Sequence, residues 1–296
     1  PTRRSSDLLL NAIMFDMAVA GSTNAVLHIL SYAYELGIKL TLEDFEKYAD
    51  EIYCINAVVP SGPYTVVDFH YAGGVMNVMK MLESKLFTDA PSMYGGTWKE
   101  LLSKVTPKEN EVIHSLERPL FHEPGLKILR GNLSPNGAIV RPTAVYEEVK
   151  YLKGKAKVFE GDRPAFEAIQ AGEIVPGDII VIRYEGCKGA PGMKELMLSI
   201  DALIGLGLHK SVGLITDARF SGFNYGAIIG HVSPEAYDGG TIALVENGDE
   251  IVIDIPNGEV NLLVSDEELE RRKANWVSPP LKEEKGCLNI YAKMCR

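Results

Sequence analysis

Long apolar runs, clustered cysteines and an excess of basic charge are all missing from this sequence. The most apolar stretch, LLLNAIMFDMAVAG, is broken by Asn11 and Asp16. It falls short of the ~18 uncharged residues that a membrane-spanning helix needs, so no membrane span is expected. The N-terminus also lacks the basic, apolar, small-residue order of a secretory signal, which makes the cytoplasm the expected location. Basic side chains number 30 against 40 acidic ones, a net charge of −10. That balance argues against a phosphate backbone or an anionic membrane as partner and suits a small molecule or a metal ion.

The four cysteines, Cys54, Cys187, Cys287 and Cys295, stand 133, 100 and 8 positions apart with no C-x-x-C. This spacing argues against a disulfide framework and against a zinc knuckle. Cys54, in YCINAVV, reads as a small core hydrophobe. The six histidines form neither H-x-H nor H-E-x-x-H, which disfavours a zinc hydrolase. No G-x-S-x-G elbow is present to mark a serine hydrolase. Gly205 and Gly207 imitate a dinucleotide fingerprint, but they follow a helical segment rather than a strand, so a Rossmann reading is rejected.

What is there divides into two rhythms. With 296 residues, 46% of them apolar and 24% charged, the chain has ordinary globular composition and length for about two domains of ~150 residues. Residues 9 to 116 read mainly helical. LHILSYAYELG spaces Leu27, Leu30, Ala33 and Tyr34 as an apolar face and closes on Gly37, while Thr41 with Asp44 and Thr97 with Glu100 keep capping-box spacing. Asp68 reads as a further cap, beside His70, which is read as structural. From about 120 onward short β-rich runs follow: LKILRGNL, AIVRPTAV, KAKVFE, DIIVIRY, SVGLITD, TIALVE, EIVIDI and EVNLLV. Asn-Gly turns stand at 136, 247 and 257, one helix (RPAFEAIQAG) interrupts the strands, and another opened by Ser265 with Glu268 follows them. The second half is therefore expected to be a strand-rich, barrel-like domain. No internal repeat appears. The first eight residues, PTRRSSDL, switch from a polar basic run to an apolar helix without a cap or turn and are expected to be a non-native leader.

Three stretches could carry chemistry. Gly21, Ser22, Thr23 and Asn24 precede a helix, which makes either an anion site or an ordinary N-cap. In DIIVIRYEGCKGAPGM an apolar strand delivers Glu185 into a Gly/Pro-rich loop, where it is either solvated in a turn or held to bind something. In GLITDARFSGFNYG a strand carries Asp217 and Arg219 to its end, and Ser221 follows. Two such loops in one domain favour a binding role over two unrelated turns.

Taken in order, GSTNAVLHIL, FHYAGGV, LRGNLSPNGAIV, VIRYEGCKGAPGM, TDARFSG, GHVSPEA and GGTIALVENGDEI resemble the dihydroxy-acid dehydratase and 6-phosphogluconate dehydratase family over nearly all of residues 9–295. The resemblance implies an α/β plus β-barrel fold: a helical remnant of an N-terminal α/β/α domain (9–116) followed by a swivelling β-barrel-like C-terminal domain (117–296), with the active site between them. It implies a hydro-lyase that converts a 2,3-dihydroxy carboxylic acid to a 2-keto acid, with Mg²⁺ and an iron–sulfur cluster, 2Fe–2S or 4Fe–4S. Glu185 matches the family's remaining Mg²⁺ carboxylate, and Ser221 matches the serine that acts as base. The cluster cysteines, two further Mg²⁺ carboxylates and a carbamylated lysine are expected upstream of this chain, so the cluster is not transferred to Cys54, Cys187, Cys287 or Cys295. The resemblance further implies a homodimer when full length, a role in branched-chain amino acid biosynthesis, and no activity for the fragment alone. Family members commonly carry Pro at 187, Gly at 190 and, in branched-chain enzymes, Gly at 218, where this chain has Cys187, Ala190 and Ala218. These departures keep an aldonate dehydratase open as an alternative, beside a non-catalytic binding module that retained the barrel.

Overall fold

The computed structural model describes residues 3–221 and 224–295, which form two compact units, 1–127 with 141–143 and 128–140 with 144–296. The first unit is helical at its start. Helix α1 (Arg3–Val19) packs against α2 (Thr23–Glu35), α3 (Leu42–Glu51) and α5 (Gly74–Met81), with α4 (Val66–Tyr71) and α6 (Trp98–Leu102) completing the order. On α1 the fully buried Ile13, Met14 and Met17, with Ala18, recur at the i, i+3, i+4 spacing of one helical face. Asn11 lies among them without penalty, because its amide donates to the Phe87 carbonyl and accepts from the Phe87 N–H.

The capping boxes at Thr41/Asp44 and Thr97/Glu100 are both formed. Two local readings are corrected. The cap of α4 is Thr65, and Asp68 is its reciprocal partner three residues on. The buried stripe of α2 is Val26, Ile29 and Ala33 rather than Leu27, Leu30 and Tyr34, and Tyr34 is 72% exposed. Both stripes have helical periodicity, and only the neighbour α1 decides which one is inside. Beyond α6 the expected helicity gives way to irregular chain up to residue 126, held in part by Asn110, whose side-chain oxygen accepts from Val112 and Ile113 N–H.

The second unit is built on an eight-stranded sheet. Its strands in chain order are β1 (Lys127–Leu129), β2 (Gly137–Val140), β3 (Tyr151–Phe159), β4 (Ile179–Ile182), β6 (Gly213–Thr216), β8 (Ile228–Ser233), β9 (Glu250–Asp254) and β10 (Glu259–Leu262). A two-stranded ribbon is formed by β5 (Glu195–Leu196) and β7 (Arg219–Phe220). The order across the sheet is β1-β2-β8-β6-β4-β3-β9-β10.

The two outer strands then meet. Arg130 donates its N–H to the Gly258 carbonyl and accepts from Val260 N–H, each at 2.8 Å. Asn132 continues the join by bonding both the N–H and the C=O of Leu262 through its side-chain amide. Gly131 sits where a Cβ would lie 2.1 Å from the Val260 carbonyl oxygen, so only glycine permits this approach. The sheet is thus nearly closed into a barrel, with its two outer strands bridged at this seam.

The middle strands β3, β4, β6 and β8 run parallel. They are linked by α7 (Glu147–Lys150) entering β3, α8 (Asp162–Gln170) between β3 and β4, and α9 (Leu198–Gly205) between β4 and β6. Strand β4 shows why its sequence is apolar throughout. Ile179 and Val181 point into the barrel core, and Ile180 and Ile182 point into a second core under α8 and α9. A strand buried on both faces needs no polar alternation.

Strand β8 lies in IIGHVS, outside the β-rich runs expected from the sequence. TIALVE, expected as a strand, is instead a 3₁₀ turn over Thr241–Leu244. Its carbonyls are taken by guanidinium groups rather than by a ladder. Arg183 bonds the Ala243 and Val245 oxygens at 2.7 and 3.0 Å, and Arg272 bonds the Leu244 oxygen at 3.0 Å. The Asn-Gly turn at 257 joins β9 to β10 as a hairpin. Helix α10 (Asp266–Asn275), capped by Ser265, and α11 (Gly286–Met294) follow the strands. Among the described residues no helix is long and apolar enough to cross a membrane.

Candidate active site

Parallel strands place their carboxyl ends on one rim, where ligands of open and closed α/β sheets commonly bind. Strands β4 and β6 are neighbours in register, Ile182 beside Thr216. Glu185 follows the first and Asp217 the second, so the two acidic residues meet at the same rim.

Asp217 is the anchor of this rim. Its carboxylate accepts the N–H groups of Glu185 at 3.0 Å, Tyr184 at 3.1 Å and Ala236 at 2.9 Å. Tyr184 adopts the left-handed conformation, φ +63°, an uncommon state for a side chain of this size. Asp217 is 1% exposed, and burial pushes its carboxyl up to about 6 despite the three N–H donors, with the charge of Glu235 adding to the rise.

Glu185 is only 2% exposed. Lys282 Nζ donates to its Oε1 at 3.1 Å and to the Tyr184 carbonyl at 2.8 Å. Its Oε2 lies 3.1 Å from Lys194 Nζ in an ion pair without the alignment of a hydrogen bond. Below it, Gly161 leaves room: a Cβ there would lie 2.9 Å from Oε1, and the backbone is at φ +113°. The next residue, Asp162, receives Met197, Leu198 and Ser199 N–H and so pins the far end of the loop to the start of α9.

The Gly-rich run after Glu185 wraps another side chain of the protein. Lys188 and Gly189 N–H donate to the two oxygens of Glu235 at 2.9 and 3.1 Å, and burial raises the Glu235 pKa. The loops are then stitched together. Strand β5 pairs with β7 through Leu196 and Phe220, and Arg219 donates to the Met193 and Gly192 carbonyls. Ser221, half-buried, comes directly after β7. Gly222, the residue after Ser221, lies outside the described residues.

One reading of the cysteines is overturned. Cys187 and Cys295 form a disulfide with Cα atoms 6.4 Å apart. A separation of 108 residues carries no sequence signal for such a bond. Cys54 is a fully buried core residue whose thiol burial pushes up to about 12, and Cys287 is exposed. None of these arrangements suits a cluster ligand set, which needs several thiolates converging on one point. At the start of α2, Ser22 is an N-cap, accepting the Asn24 N–H at 3.2 Å.

The fit of a divalent cation is partial. A buried carboxylate facing two ammonium groups is a site that receives positive charge, and its oxygens are hard donors of the kind Mg²⁺ takes. Among the described residues, however, no group of three or more His, Cys, Asp or Glu side chains could hold a metal. Glu185 supplies one ligand, not a cage. Lys194, Lys282, Gly161, Asp162 and Glu235 were not read from the sequence as parts of this site, because each reaches Glu185 or its loop only through folding.

Comparisons with known proteins agree with the motif order. A model described as dihydroxy-acid/6-phosphogluconate dehydratase C-terminal matches residues 111–296, and its N-terminal counterpart matches residues 4–101. A protein named dihydroxy-acid dehydratase from Clostridium novyi is 48% identical over 287 residues, covering 96% of this chain and 52% of the relative. Another of that name from Pyrobaculum neutrophilum is 45% identical, covering 97% and 52%, and one from Methanosarcina barkeri is 48% identical, covering 96% and 52%. The chain therefore spans about half the length of the curated relatives it matches. On this evidence the chain belongs to the dihydroxy-acid/6-phosphogluconate dehydratase family.

Proposed function

We propose that this chain is the C-terminal portion of a hydro-lyase that converts a 2,3-dihydroxy carboxylic acid into a 2-keto acid, a dihydroxy-acid dehydratase of branched-chain amino acid biosynthesis. The observation that carries the reading is the rim described above: a buried carboxylate under two ammonium groups, anchored by Asp217, beside the strand end that leads to Ser221. The names of the relatives at 45–48% identity support the dihydroxy-acid substrate over an aldonic acid.

The reaction removes a proton from C2 and hydroxide from C3; the resulting enol tautomerises to the keto acid, and one water is released. A C–H beside a carboxylate is a poor acid and hydroxide a poor leaving group. A bound Mg²⁺ would supply Lewis-acid charge to this reaction. On this reading Glu185 would be one of the residues that hold that ion, and the remaining ligands and the iron–sulfur cluster would be held by residues outside this chain. Ser221 takes the C2 proton, which requires a local positive field to hold its hydroxyl as alkoxide. Asp217 keeps the Glu185 backbone in place. The chain by itself is inactive on this account, since a single carboxylate does not retain Mg²⁺.

The test uses a complete enzyme carrying this C-terminal sequence. Ser221→Ala is expected to lower kcat by about 10²–10⁴ with KM little changed, as for loss of a general base. Turnover at the parental rate would remove Ser221 from the chemistry. Comparing dihydroxyisovalerate with an aldonic acid as substrate in the parental enzyme separates the two substrate classes.

A further inference from the structure

The segment after α10 crosses the loop that follows β4 and is fastened to it at two points. One is noncovalent: Lys282 Nζ spans the Tyr184 carbonyl and Glu185 Oε1. The other is the Cys187–Cys295 disulfide, whose first cysteine stands two residues beyond Glu185. Between these points the hold is slight: the Tyr291 hydroxyl lies 3.7 Å from Cys187 Sγ, and little else is buried. Residues 282–288 are exposed, and α11 buries only Asn289 and Ala292, while Leu288, Ile290, Tyr291 and Met294 remain 45–73% exposed. Asn289 Nδ2 donates to the Glu283 carbonyl at 2.7 Å, a contact within the segment itself that does not tie it to the barrel.

We propose that Cys187–Cys295 is a redox-operated latch that holds α11 and Lys282 down over the loop bearing Glu185. Both sulfur-bearing residues are half-buried and so open to attack. A dithiol reductant donates two electrons and two protons. One of its sulfurs attacks the bond to give a mixed disulfide, its second sulfur resolves that species, and the products are free Cys187 and Cys295 thiols and the cyclic disulfide of the reductant. Breaking the covalent link removes the high effective concentration that keeps α11 against the loop, leaving its few buried side chains and the Tyr291 contact at Cys187 to do so. The latch stands whether or not Glu185 binds a metal. Resting on the cation reading given above, the closed latch sets the Lys282 ammonium in competition with the ion for Oε1.

The experiment uses the whole chain with Cys287→Ser, which removes an exposed thiol able to exchange, purified with glutathione disulfide and without added metal. Alkylation followed by mass spectrometry is expected to leave Cys187 and Cys295 unlabelled until dithiothreitol is added. Hydrogen exchange across residues 286–294 should then accelerate by about tenfold or more, the scale of losing a local tether, and acylation of Lys282 by an activated ester should rise with it. Adding Cys295→Ser should give the fast values with or without dithiothreitol. The latch is overturned if both cysteines alkylate freely under oxidising conditions, or if exchange in α11 changes less than about twofold on reduction.

Discussion

Replacing Asp162 by alanine tests whether the loop bearing Glu185 is anchored as its hydrogen bonds indicate. The Asp162 carboxylate receives Met197 N–H at 3.2 Å, Leu198 N–H at 3.1 Å and Ser199 N–H at 3.0 Å, the unpaired donors of the first turn of α9. In Asp162→Ala the Ser199 hydroxyl keeps its bond to the residue 162 carbonyl at 3.0 Å. The Ser199 N–H does not escape, because the residue is 0% exposed, and an orphaned buried donor costs about 1–3 kcal/mol. Met197 and Leu198 are 52% and 39% exposed, so water replaces their bonds at about 0.5–1 kcal/mol each. The sum is about 3 kcal/mol, which for a unit of this size lowers Tm by about 6–12 °C. Asp162→Asn retains one acceptor and should lose about half as much. Urea unfolding measures the loss, and hydrogen exchange at residues 193–199 should rise in parallel. A loss below about 1 kcal/mol for the alanine variant, with exchange unchanged, would refute the anchoring role.

Two further perturbations probe other parts of the molecule. Gly161→Ala places a Cβ 2.9 Å from Glu185 Oε1 at φ +113°, so it should cost about 2 kcal/mol in urea unfolding, and an undiminished stability would show that the cradle is slack. Asp16, in the helical unit, is raised by burial to about 7 against a usual 3.8, and the opposing attraction of Arg141 is the smaller effect. A carboxyl raised on folding favours the protonated native state, so its contribution to stability is complete below about pH 4 and is lost as pH rises through about 7. Against Asp16→Asn, the parental chain should therefore lose about 3–4 kcal/mol more stability between pH 4 and pH 8. Parallel pH profiles for the two would exclude a perturbed Asp16.

Much of the fold was legible because it rests on local physics. Capping boxes at Thr41 and Thr97, the apolar run of β4 and the helix in RPAFEAIQAG are short-range patterns that their own residues satisfy. The misreadings share one cause. The helical face of α2, the 3₁₀ turn at TIALVE and strand β8 depend on which distant group is the partner: α1 for the first, Arg183 and Arg272 for the second, and β6 for the third.

The candidate site divides along the same line. Sequence alone determined that the chain is a two-part globular protein, that Glu185 and Ser221 each follow a β-run in one domain, and that its ordered motifs match one dehydratase family. Only the tertiary structure decided that β4 and β6 are parallel neighbours, that Asp217 holds the Glu185 backbone, and that Lys194 and Lys282 face the carboxylate. It also decided which two of four cysteines meet. Composition and periodicity register the burial of each side chain against its own segment. Charge pairing and disulfide closure depend on distances of a few ångströms between residues up to 108 positions apart, and such distances exist only once the chain has folded.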